Sequence, residues 1–355
     1  MKRRAFPGHG PDVDAKYLEA GHWLKAAIFG NEKSREWCKQ KGILHKAAGE
    51  GINSAGGFLV PAALANAIFD IREEYGAFRR RARIVPMSTD ELSVTRHTGG
   101  SSGTTAYFIG ENTAATATQA VMDKINLVAK KIGSLIPVSN EVAEDSLPGI
   151  VDFLANEIGY AFASKEDDCA FNGDGTSTYG GMRGITQLVL DGNHSQAKVT
   201  AASGHNTFLL LDATDIGNLI SQVRASAIPN AAWYISQTGF AQTFCRLAGA
   251  AGGAYLYTGM VDGIATPFYL GFPVVLCQKL PLISTSLTGK AMLAFGDMYA
   301  AGALGERRSI TLARSPHRYF DSDEIAILGT ERFDAVIHDL GDNTNLGSLA
   351  VLVAP

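Results

Sequence analysis

One apolar stripe constrains this chain more than any other feature. Val151, Leu154, Ile158, Phe162 and Cys169 recur at helical steps along "SLPGIVDFLANEIGYAFASKEDDCAF". That spacing puts them on one face of a helix. Ser146 suits the N-cap position and Pro148 the first turn. The pattern predicts a helix over 148–171, roughly 36 Å long at 1.5 Å per residue. Its last turns carry Glu166, Asp167 and Asp168, the wrong sign for the negative end of a helix. Such a break of a local rule calls for a partner for these acids, and a neighbouring chain could supply it.

The segment Ile84–Val138 constrains the fold from the other side. "ELSVTRHT" and "TAYFIG" read as short strands around "GGSSG", followed by the small, polar "ENTAATATQAVMDK". The segment has almost nothing of its own to bury, and an isolated hairpin is marginal in water. It therefore needs another surface, which points to an obligate assembly.

Around these, Ala62–Phe78 fits a helix through Leu64, Ile68, Ile71, Tyr75 and Phe78, with Arg79, Arg80, Arg81 and Arg83 at its basic end. Residues 190–310 alternate: "DATDIGNLISQVRASA" helix, "AAWYIS" strand, "SQTGFAQTFCRLAG" helix capped by Ser236, then strands "FPVVLCQ", "AMLAFGDM" and "RRSITLAR". "ERFDAVIHD" and "LAVLVAP" close the chain as strands, so the class is α+β. Residues 1–50 hold ten Lys and Arg against six Asp and Glu, while the rest is acidic by eight, giving −4 overall. A basic arm on an acidic body suggests a contact with nucleic acid or another subunit; a solvated arm with one charged helix around Asn31–Leu44 fits equally well. No run of 18 apolar residues is present, so no membrane span is expected. Four widely spaced cysteines, with Cys169 and Cys277 in apolar patterns, fit a reducing compartment.

The motifs that carry chemistry fail on context. "FNGDGTSTYGGMRGI" (Phe171–Ile185) has the glycines of a phosphate or calcium loop. It follows a helix rather than a strand, lacks a P-loop lysine, and lacks alternating oxygen ligands. It reads as a helix exit with positive φ at Gly173 or Gly175. Gly99–Gly103 matches G-x-S-x-G around Ser101, but strands flank it on both sides, whereas a nucleophile elbow leads into a helix. The eight histidines show no ligand spacing, so no metal or other cofactor is expected. The arginine run 79–83 lacks interleaved aromatics, so sequence-specific nucleic-acid reading is not expected.

The order of segments resembles the major capsid proteins of tailed bacteriophages, the Hong Kong 97 fold family. The resemblance rests on "GGFLVP" before a helix, "RRRARIVPMSTDELSVTRHTGG" with "TAYFIGEN", "LIPVSNEVAEDS", and "LANEIGYAFASKEDDCAFNGDGT…GGMRGI". "AAWYISQTGFAQTFCRL", "LGFPVVLCQKLP", "AFGDMYAAGALGERRSITLARS" and "GTERFDAVIHD" complete it, over roughly residues 50–355. The resemblance implies an amino-terminal arm (1–55), a peripheral domain (56–85 and 136–190) with a spine helix (148–171), and an extended β-hairpin loop (86–135). An axial domain (191–312) and return strands of the peripheral domain (313–355) would follow.

The implied function is a non-enzymatic head protein whose hexamers and pentamers tile an icosahedral shell around double-stranded DNA, in the virion, after assembly in the bacterial host cytoplasm. Expected partners are the chain itself, a portal, packaged DNA and a separate scaffolding protein, the last favoured by the initial Met. The extended loop would lie over a neighbouring subunit. Glu166, Asp167, Asp168, Arg79, Arg80 and Arg81 are the expected inter-subunit contacts. Lys124, Lys130 and Lys131, with Asn343 and Asn345, show no motif for a covalent crosslink. The alternatives are an encapsulin-type compartment of the same fold and, remotely, a serine hydrolase using Ser101.

Overall fold

A computed structural model describes residues 11–27, 31–43, 57–59, 64, 67–68, 71, 75–97, 108–109, 122–139, 147–253, 255–261, 264–282, 286–322 and 324–355. The chain forms two compact units. The first takes residues 1–76, 129–165 and 306–333; the second takes 77–128, 166–305 and 334–355.

The first unit is built on a sheet whose strands run β1 (Gly57–Leu59), β12 (Gly302–Tyr319), β13 (Glu324–Ile337), β5 (Lys130–Ser139). β13 and β5 pair antiparallel from Glu324↔Ser139 to Phe333↔Lys130 without a break. The long helix Leu147–Asn172 begins against this sheet. Its Val151, Leu154, Ile158 and Phe162 pack with Ile310, Leu312, Ile325 and Ile327 in one core. A Cβ at Gly159 would lie 2.9 Å from Ile71 Cγ2 and 3.3 Å from the Ile68 carbonyl oxygen, so glycine is what lets Ile68 and Ile71 approach the long helix closely there.

The amino-terminal residues differ from the expected arm. Helices Pro11–Ala27 and Glu32–Gln40 bring Ala20, Trp23, Leu24, Ala27 and Cys38 into the same core as Leu64, Ile68 and Val151. Asn31 caps the second helix by accepting from the Ser34 N–H at 3.1 Å. The Tyr17 hydroxyl donates to Asp152 Oδ1 at 2.8 Å. Glu32, Lys33, Glu36 and Lys39 of the second helix, with Lys41 just after it, are exposed, while Ser34 and Cys38 are buried.

The second unit holds a seven-stranded sheet in the order β6 (Lys198–Thr200), β14 (Leu349–Val353), β11 (Ala291–Gly296), β7 (Ala232–Ile235), β10 (Phe272–Leu276), β9 (Ile264–Tyr269), β8 (Leu256–Val261). β14, β11 and β7 are buried at every position, as continuous apolar strands covered on both faces should be. This corrects the expectation that 313–355 returns wholly to the peripheral domain: "LAVLV" has no polar face to show water, and it sits inside this sheet. The core centres on Trp233, whose ring lies 4.2 Å from Phe295 and whose Nε1 donates to the Tyr269 carbonyl at 3.0 Å.

The helix after Ser236 runs Gln237–Gly239, then as a π-helical turn through Phe240–Cys245, then Arg246–Ala250. The Ser236 hydroxyl accepts from the Gly239 N–H at 3.1 Å, as the sequence predicts. β3 (Glu91–His97) and β4 (Met122–Val128) pair as a separate two-stranded sheet. The extended hairpin therefore ends at Val128, and residues 130–135, assigned to it from sequence, belong to β5.

Candidate functional site

The long helix delivers Glu166, Asp167 and Asp168 to the arginine run. Asp167 Oδ2 accepts the Ala77 N–H and Oδ1 the Phe78 N–H, both at 2.9 Å. These amides open the turn 77–81, so the carboxylate acts as a cap supplied from far along the chain. Glu166 Oε2 lies 3.8 Å from Arg79 Nε, an ion pair rather than a hydrogen bond. Glu166 is 0%, Arg79 3% and Asp167 5% exposed, so these three side chains are enclosed by their own chain. The partner that the misplaced acids called for is internal. Burial pushes the Asp167 carboxyl up to about 6, against the lowering pull of the two amides. Cys277 is buried as expected, and burial pushes its thiol up to about 12.

Asp168, Arg80 and Arg81 are half-buried, and Asp168 Oδ1 accepts from Asn172 Nδ2 at 3.2 Å. Of the six expected contact residues, these three keep surface open to another molecule.

The glycine-rich stretch that follows is a closed joint. Gly175 N–H donates to the Met182 carbonyl at 2.9 Å, and Gly184 N–H to the Gly173 carbonyl at 2.8 Å. Asp174 bridges Arg183, with a 3-10 turn Ser177–Tyr179 between. Asp174 Oδ1 takes the Thr176 hydroxyl at 2.6 Å and its N–H at 2.8 Å, and these bonds hold the carboxyl below its ordinary range. Gly175 has φ +82°, as the sequence predicts. Gly173 is glycine for a different reason: a Cβ there would meet the Cys169 carbonyl oxygen at 2.5 Å and that of Met182 at 2.7 Å.

The root of the extended hairpin is fixed and its far side is bare. Leu127 is buried, Asp334 Oδ2 accepts the Val128 N–H at 2.6 Å, and Gly305 packs against Met87 and Leu127. Glu91, Ser93 and Thr95 are exposed. Phe108 and Ile109, expected within a strand, are in none, and Phe108 is completely exposed. The other residues of "TAYFIG", the "GGSSG" tip and Ser101 lie outside the described residues.

One cluster escaped the sequence reading. His205, Asp212 and Asp215 bring ligand atoms within 4.8 Å of one another. Asp215 Oδ1 already accepts the Ala202 N–H at 2.9 Å, and Oδ2 meets His205 Nδ1 at 2.6 Å and the Asp212 N–H at 3.1 Å. Asp212 in turn caps the helix Ala213–Ser221. These contacts fasten a loop to a helix start. No signal in spacing reveals them, because the ligand atoms converge through a loop. Asn343, weighed for a crosslink, instead accepts the Ser195 N–H through Oδ1 at 3.0 Å.

The fold has counterparts among solved structures. The chain is 15% identical to the capsid of a native GTA particle computed with C5 symmetry, with a TM-score of 0.55 over 88% of this chain and 96% of that one. Against a structure from Mycobacterium phage Bobi the values are 17%, 0.51, 79% and 90%. Against the holo-SrpI encapsulin complex from Synechococcus elongatus PCC 7942 they are 13%, 0.51, 78% and 86%. These likenesses show the fold, which is of the Hong Kong 97 type read from the sequence. The major capsid protein of Klebsiella oxytoca phage phiKO2 is 26% identical over 157 residues, 44% of this chain and 35% of that protein. The match thus spans about a third of the length of that relative. Residues 56–340 match the phage capsid family, within the region of the sequence resemblance, and the chain belongs to that family.

Proposed function

We propose that this chain is a major capsid protein, which self-assembles into an icosahedral shell enclosing double-stranded DNA. The observation that carries the reading is the family match over residues 56–340, which runs through both compact units. The role is structural: many symmetric, reusable contacts rather than one pocket. Closed shells form when the rotation between copies closes. Hexamers and pentamers are the expected capsomers, with a portal and a separate scaffolding protein as further partners. The virion is the expected location, after assembly in the bacterial host cytoplasm. Among the described residues no helix is long and apolar enough to cross a membrane. The acidic surplus after residue 50 suits an inner face that does not hold phosphates tightly, since strong binding would impede packaging.

Sedimentation with negative-stain imaging of the purified protein tests the reading. Megadalton shells or ring-shaped capsomers are expected; a stable monomer at all concentrations would overturn it. The likeness to an encapsulin favours one second reading, a shell around a cargo protein. The contents of purified shells separate the two: nucleic acid or scaffold for a phage head, one co-purifying protein for a compartment.

A further inference from the structure

β5 ends the sheet β1-β12-β13-β5, and among the described residues no strand lies on its far side. Two observations fix which of its backbone groups face outward. Pro137 has no N–H and stands opposite Ala326, so its position must be one that points away from β13. The Thr330 carbonyl accepts from the Thr311 hydroxyl of β12, so Thr330 turns its backbone away from its β5 partner Gly133. Both place Lys131, Gly133, Leu135 and Pro137 as the outward set, alternating with residues bonded to β13. Lys131, Gly133, Leu135 and Pro137 are also exposed, and Leu135 is one of the large apolar groups left to solvent.

This edge has natural limits. Ala129 separates β4 from β5, where the chain changes partner from β3 to β13. Pro137 cannot donate. The midpoint between 129 and 137 is Gly133. We propose that β5 pairs antiparallel with β5 of a second copy about a two-fold axis through Gly133, joining two sheets into one. The inference rests on the capsid reading for its partner.

In that register Gly133 faces Gly133 of the partner copy, and Lys131 faces Leu135 on each side. Three pairs exchange both N–H···O bonds, every outward donor between the limits is used, and Pro137 is left outside. No like charges stand opposite each other, and Lys131 lays its apolar stem beside Leu135. Glycine at the axis puts no side chain where two copies meet. Lys130 and Lys131 deter the pairing of longer or shifted registers, because other alignments bring the lysines nearer each other or Pro137 into a donor position.

Cysteine trapping tests the register. In a Cys245→Ser background, which removes the exposed cysteine while the buried Cys38, Cys169 and Cys277 remain, Gly133→Cys should form a disulfide-linked dimer on mild oxidation. A Cβ at Gly133 meets Leu328 Cδ1 at 3.4 Å, an ordinary contact, so the substitution fits the fold. Leu135→Cys alone should give no dimer, and Lys131→Cys with Leu135→Cys in one chain should restore it. Hydrogen exchange on the unaltered protein is the second measurement: the amides of Lys131, Gly133 and Leu135 should slow by about tenfold or more on assembly. Leu135→Lys should weaken association, by setting one ammonium group opposite each Lys131, and Leu135→Glu should not. Shells that form while these amides exchange at the free rate and Gly133→Cys stays monomeric would overturn the pairing and leave the capsid reading intact. A trapped dimer in protein that never forms shells would do the reverse.

Discussion

Arg79 and Glu166 meet with Nε and Oε2 3.8 Å apart, each almost wholly removed from water. A buried pair gains little over an apolar pair of the same volume, but breaking it strands a charge. Glu166→Met should therefore cost about 3–5 kcal/mol of stability, and Arg79→Met a similar amount. The double variant Arg79→Met with Glu166→Met should recover most of that loss. Urea unfolding of the four proteins measures the coupling; additive losses would mean that the two charges do not act as a pair.

Asp167 sets a pH dependence in the same place. Its folded value is about 6, above the ordinary 3.8, because burial outweighs the Ala77 and Phe78 amides, with Glu166 adding to the rise and Lys279 opposing it. The folded state therefore holds a proton that the unfolded state releases between those two values. Stability from this group is greatest below pH 4, falls as pH rises to about 6, and is level above that. The swing is on the order of 3 kcal/mol. Asp167→Asn should abolish that slope; the same slope surviving in the variant would place the titration elsewhere.

The long helix was legible from its ends inward: 148–171 from sequence, Leu147–Asn172 in the structure. The strand "LAVLV" was legible as a strand but not as a member of the seven-stranded sheet, because a fully apolar run carries no sign of which sheet covers it. The helix Pro11–Ala27 was missed. Its apolar residues Ala20, Trp23, Leu24 and Ala27 are diluted by Gly21, His22 and Lys25, and Pro7, Gly8 and Gly10 precede it. Glu166 and Asp167 were recognised as needing a partner, and Arg79 was singled out beside them. That the two meet inside one chain depends on contacts 87 or more positions apart, which no local pattern records.

The joint after the helix separates two reasons for glycine. Gly181 has φ +84° and open space, so Gly181→Ala pays backbone strain alone, roughly 1 kcal/mol. Gly173→Ala must push its Cβ away from two carbonyl oxygens at 2.5 and 2.7 Å, and neither belongs to a flexible side chain. It should cost more than Gly181→Ala, about 2–4 kcal/mol. Thermal unfolding ranks the two, and equal losses would show that the joint opens to make room.

Phe108 is completely exposed and Ile109 more than half exposed, whereas Met87, Ile125 and Leu127 are the buried residues among those described in 86–128. Exposed apolar groups add nothing to the stability of a lone subunit, so Phe108→Ser should leave subunit unfolding unchanged within about 0.5 kcal/mol. Buried against another copy, a phenylalanine contributes about 1.5–3 kcal/mol per contact. Removing it should raise the protein concentration needed for assembly roughly ten- to a hundredfold. Light scattering against concentration measures this threshold. An unchanged threshold, with unchanged subunit stability, would mean that Phe108 stays in water in the assembled shell and that the hairpin finds its missing core through other residues.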